Sequence, residues 1–140
     1  MESGQVDGSF DSLREEVRQS GLTFGRMLRR WRISNSWAQD TCQLWGKAVD
    51  MPHVYSSQWS QLETGNATNP GPLMFRCFGE VNQRLAGKQY GSIPSKSLRE
   101  RVTGASALCH PDGRHWVGSD FFAAYVGELE WPELPDPEAP

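Results

Sequence analysis

The stretch SSQWSQLETGNATNP, residues 56–70, decides how the chain is read. Trp59 and Leu62 stand three apart, a spacing that puts both on one face of a helix. Gly65 follows Glu63 and Thr64 and supplies the left-handed residue that closes many helices. Asn69-Pro70-Gly71-Pro72 then makes a rigid turn. Pro52 is tolerated in a first helical turn but not in mid-helix, so the pattern predicts a helix from about residues 52–55 to Thr64. Ser56, Ser57 and Gln58 stand at the exposed start of this helix and Gln61 one turn on, all short or amide side chains.

Working upstream, a short helix is expected after Asp11, with Leu13 and Val17 on one side and Gly21 ending it. Thr23 is the expected cap of the next helix, in which Phe24, Leu28 and Trp31 recur at i, i+4, i+7 while Arg26, Arg29 and Arg30 lie elsewhere on the cylinder. Ser34-Asn35-Ser36 breaks the pattern. A second amphipathic helix is expected from about Trp37 to Val49, with Trp37, Thr41, Leu44, Trp45 and Ala48 inward, and Asp50-Met51-Pro52 stops it. Downstream of the opening stretch, a helix over about residues 72–86 places Met74, Phe78, Val81 and Leu85 on one side. Ser95 is the expected cap of a helix over about residues 96–109, with Leu98, Val102, Ala105 and Leu108. Pro111-Asp112-Gly113 makes a turn, HWVG (residues 115–118) a short extended piece, and Ser119 caps a last helix whose Phe121, Phe122, Tyr125 and Leu129 face inward. Consecutive helices joined by short loops predict an all-α bundle. Its divisions are a disordered N-terminus (residues 1–10), the bundle (11–87), a C-terminal helical extension (88–131) and a Pro-rich acidic tail (132–140).

A chain of 140 residues fits one domain with an appendage and buries enough surface to fold without metal or disulfides. The cysteines, Cys42, Cys77 and Cys109, are far apart and form no C-x-x-C, which excludes a zinc ribbon or thioredoxin motif. No apolar run approaches the length of a membrane span. The beginning MESGQVDGSFDS is acidic and polar, unlike a secretory signal, so the expected setting is cytoplasmic, with reduced thiols. Charge is unevenly placed. Residues 20–101 carry eleven bases against five acids, between an acidic beginning and an end with seven acids against Arg114 alone. A basic middle between acidic ends is compatible with nucleic-acid contact there.

The segment from Phe24 to Leu85 resembles the helix-turn-helix domain of the lambda-repressor-like (Xre/Cro) family. Ser60, Leu62, Glu63 and Gly65 fit the family's S-x-[IL]-E-x-G close of the recognition helix, Asn69-Pro70 its N-P turn, and the apolar helix after it the fourth helix. Leu28-Arg29-Arg30-Trp31-Arg32 is similar to the usual L-R-x-x-R first helix, and Gln39 stands near the Gln that often opens the second. The stretch from Gln39 to Glu63 is longer than the family's usual spacing, and the extra residues fall around KAVDMPHVY (residues 47–55). The resemblance implies a lambda-repressor-like four- or five-helix bundle that docks its third helix in a major groove of double-stranded DNA. It implies base contacts from Ser56, Ser57, Gln58 and Gln61, since glutamine pairs bidentately with adenine and serine serves either partner. Arg29, Arg30, Arg32, Gln39, Asn66 and Thr68 then suit phosphate. Glu63 is expected to reach an arginine of the first helix, Arg29 or Arg30, and fix how the two helices pack.

Other chemistries have thinner support. Cys109, His110, Asp112 and His115 include legitimate zinc ligands, but they sit in a tight turn with no second cluster to complete a tetrahedron. A turn with exposed histidines is expected there instead. No G-x-S-x-G, phosphate-cradling glycine loop or H-E-x-x-H occurs. The expectation is a protein without enzymatic activity, cofactor or metal, acting as a sequence-specific transcriptional regulator. The aromatic segment FFAAYVGELEW either packs back on the bundle or forms a homodimer surface, since two-fold pairs read two half-sites. The alternative is a protein–protein adaptor or assembly factor using the same fold.

Overall fold

The computed structural model describes the backbone of residues 2–67 and 70–137 and the side chains from Phe10 on, those of Thr68, Asn69 and the last three residues excepted. Among the described residues six helices follow one another: α1 (Glu2–Ser34), α2 (Thr41–Val49), α3 (Ser56–Thr64), α4 (Pro72–Gly87), α5 (Lys96–Thr103) and α6 (Gly118–Tyr125). Among the described residues no helix is long and apolar enough to cross a membrane.

The first helix corrects the reading of the N-terminal part. It is continuous through Gly21 and Thr23, where a break and a new cap were expected. Gly21 lies beside Tyr125 with room for a side-chain carbon: a Cβ there would sit 3.6 Å from the Tyr125 hydroxyl oxygen, an ordinary contact, and the neighbouring Ser20 hydroxyl donates to the Tyr125 carbonyl at 2.6 Å. Tertiary contact overrides a local stop signal. The apolar stripe of α1 is buried at Phe24, Leu28 and Trp31, whereas Leu13 and Val17 stay exposed.

The second helix begins at Thr41 rather than Trp37. Trp37 is buried in the preceding turn, its indole donating to the Arg101 carbonyl at 3.0 Å, and the Ala38 amide donates to the Thr41 hydroxyl at 2.9 Å. The inner face of α2 is therefore Thr41, Cys42, Trp45 and Gly46, while Leu44 and Ala48, expected inside, are exposed. Helix α3 closes as expected, with Gly65 at φ 76°. Pro72 opens α4, which ends at Gly87 with Lys88 in the left-handed region.

The C-terminal part shares the core of the first four helices. Phe121 stacks on Phe78 with ring centroids 5.5 Å apart and meets Trp116 edge-on at 5.2 Å. Phe24 of α1 meets Phe75, Phe78, Tyr125 and Trp131. Gly79 makes the α4–α6 crossing close, since a Cβ there would lie 2.4 Å from the Gly118 nitrogen. Phe122, expected to face inward, is 51% exposed. α5 stops at Thr103, well short of residue 109. The segment beyond it doubles back through an antiparallel bridge between Cys109 and His115. Asn82, fully buried on α4, holds that segment: its amide donates to the Leu108 and Trp116 carbonyls at 2.9 Å each and its oxygen accepts the Leu108 amide at 2.7 Å.

Candidate nucleic-acid interface

Two glutamine carbonyls cap the start of α3. Gln43 of α2 accepts the Ser56 amide at 2.6 Å, and Gln58 accepts the Tyr55 amide at 3.0 Å. Both satisfy donors that a helix N-terminus leaves unpaired. The cost falls on Gln58, whose oxygen is committed to the helix's own backbone. Of the four side chains read as base contacts, Ser57 and Gln61 are exposed and Ser56 and Gln58 half-buried. Ser57, Gln61 and Thr64 follow one another at i, i+4, i+7 and form an outward stripe opposite buried Trp59 and Leu62.

The far end of α3 is fastened to α1. The Glu63 carboxylate accepts Arg32 Nε at 2.5 Å and Nη2 at 2.8 Å. It also accepts the Trp59 indole at 2.5 Å and the Gln39 amide at 3.3 Å. Four donors thus fill the acceptor sites of one carboxylate whose side chain is 4% exposed. Arg32 gives its remaining arm to the Trp37 carbonyl at 3.0 Å. The partner of Glu63 is therefore Arg32, not Arg29 or Arg30 as expected; Arg32 stands about two turns along α1 from Gly25. At Gly25 the helices touch: a Cβ there would lie 2.2 Å from the Leu62 carbonyl oxygen.

The residues read as phosphate contacts therefore divide. Arg32 and Gln39 point inward to Glu63. Arg29 and Arg30 are half-buried on α1, and Arg30 Nη2 lies 3.3 Å from Asp136 Oδ2 of the C-terminal segment. Asn66 is exposed just past Gly65, and Thr68 lies outside the described residues. Gln43, which sets the start of α3, was missed by the sequence reading; its only signal is its place on the outer part of α2.

A family model described as "domain of unknown function (DUF8644)" matches residues 14–127. The chain belongs to that family. The family domain thus includes the C-terminal helices together with the segment from Phe24 to Leu85, in keeping with their common aromatic core. None of the curated proteins and none of the solved structures matches the chain.

Elsewhere in the family domain, the CHPDGRH turn (residues 109–115) holds Gly113 at φ 89°. His115 is exposed, but His110 is not, contrary to expectation: its side chain is 12% exposed and its Nε2 lies 3.1 Å from Asp120 Oδ1. Among the described residues no three His, Cys, Asp or Glu side chains gather as a metal site. The described cysteines are free thiols, and burial pushes the Cys42 and Cys77 thiols up from their ordinary values.

Proposed function

We propose that the chain is a sequence-specific DNA-binding transcriptional regulator that lays α3 in a major groove. One observation carries the reading: a polar stripe of Ser57, Gln61 and Thr64 faces outward on a helix whose other end is fixed to α1 through Glu63 and Arg32. A reading helix must be held rigidly and must keep its base-contacting side bare. Within this reading Gln61 is the main base contact, because bidentate pairing with adenine needs both amide atoms and Gln58 has committed its oxygen. Ser57 assists. Arg29, Arg30 and Asn66 contact phosphate, and Arg32 and Gln39 act as positioning residues. The protein works in the cytoplasm, without cofactor, and a homodimer through the C-terminal helices reads two half-sites.

Fluorescence titration with random and genomic DNA at two salt concentrations tests the proposal. Binding should weaken steeply with salt through counterion release. Absence of binding at low salt contradicts it.

A second reading, the protein–protein adaptor, has its own observation. Leu73, Val117 and Phe122 are 69%, 41% and 51% exposed. A cavity of about 490 Å³ between α4 and the start of α6 has Phe75, Val117 and Phe122 in its walls. Apolar surface of this kind suits a protein partner, and capture of a partner with no DNA binding would favour it.

A further inference from the structure

We propose that the acidic C-terminal segment, residues 128–137, is a built-in competitor for DNA phosphate, held on α1 and displaced when DNA binds. This rests on the DNA-binding reading. After Arg114 every charged residue of the chain is acidic. The segment is anchored beyond α6 by Trp131, whose ring centroid lies 5.4 Å from Phe24, 5.1 Å from Trp116 and 6.3 Å from Phe121. Leu134 packs, half-buried, against the same core. Two residues on, Asp136 Oδ2 meets Arg30 Nη2 at 3.3 Å.

Arg30 stands on one stripe of α1 with Arg26 and Arg29, at i, i+3 and i+4, two residues before the arginine that grips α3. A carboxylate and a phosphate present similar oxygens to a guanidinium and use the same donors. Asp136 and a DNA phosphate are therefore exclusive occupants of Arg30. The ion pair is partly exposed, 35% on Arg30 and 44% on Asp136, so it is weak enough to exchange. Release asks only the residues beyond Leu134 to move; Trp131 and Leu134 stay in place.

The test is DNA titration of the full chain, wild type against Asp136→Asn, with Glu128→Gln as a control acid exposed in the same segment. Asp136→Asn should raise affinity about threefold for random and genomic DNA alike. The slope of log affinity against log salt should stay the same, because Arg30 meets phosphate in both complexes once Asp136 is displaced. Glu128→Gln should change neither, and in an Arg30→Ala background the gain from Asp136→Asn should vanish. An equal gain from Glu128→Gln, a gain that persists without Arg30, or no gain where the wild type binds DNA would overturn the competition alone. No binding by any of these proteins at low salt would overturn it together with the DNA-binding reading.

Discussion

The guanidinium of Arg32 and the carboxylate of Glu63 join α1 to α3 through two parallel hydrogen bonds, and both groups are largely removed from water. A pair of this kind is costly to break from one side, because the survivor is left as an uncompensated buried charge. Arg32→Ala should therefore destabilise the fold by about 3 kcal/mol in urea unfolding. Arg32→Lys should recover only part of the loss, since an ammonium cannot match the planar fork. A loss within experimental error for Arg32→Ala would show that the pair does not hold the crossing.

Two glycines of the same helix should respond oppositely to the same substitution. At Gly25 an added methyl meets the backbone oxygens of Leu62 and Glu63, at 2.2 and 2.9 Å, which have no room to yield. Gly25→Ala should cost about 1–3 kcal/mol, as overpacking does. At Gly21 the nearest atom lies 3.6 Å away, and α1 is helical on both sides. Gly21→Ala should stabilise by about 0.5–1 kcal/mol, the helical advantage of alanine. Thermal unfolding distinguishes them. Destabilisation by Gly21→Ala would count against the uninterrupted α1.

Asn82 substitutes for secondary structure in the segment after α5. Replacing it with leucine removes the partner of the Leu108 amide, while the Leu108 carbonyl keeps the Trp116 amide at 3.0 Å and the Trp116 carbonyl keeps Gln83 at 3.3 Å. The expected loss is about 1–3 kcal/mol, the penalty of one buried unsatisfied backbone amide. Hydrogen exchange at the Leu108 amide should accelerate more than at α3 amides. Uniform acceleration would mean that Asn82 supports the whole core instead.

The sequence made the helical class and most helix ends legible where a local signal and a tertiary need agree. Gly65 closes α3, Pro72 opens α4 and Ser95 caps α5, its hydroxyl accepting the Leu98 amide. Periodicity failed where packing reassigns a residue. Gly21 reads as a stop but fits beneath Tyr125, and Trp37 reads as the first inward residue of a helix but is buried from a turn. At the candidate interface, spacing alone exposed the outward serine-glutamine side of α3. It could not separate Gln58 from Gln61, because which amide caps the helix is a matter of rotamer, nor choose among Arg29, Arg30 and Arg32, which differ by one to three helical positions. The long α2–α3 connection buries Met51 and Val54, and Gln43 reaches across to the start of α3, a contact no spacing rule reports.

The most direct measurement selects preferred sequences from a randomised DNA pool with the wild type and with Gln61→Ala. Each good bidentate pair is worth about 1–3 kcal/mol of discrimination. The wild type should enrich a motif containing adenine, and Gln61→Ala should lose preference at that position by about tenfold while general affinity and the fold persist. An unchanged motif from a folded Gln61→Ala protein, or no enrichment by the wild type, would contradict base reading by α3.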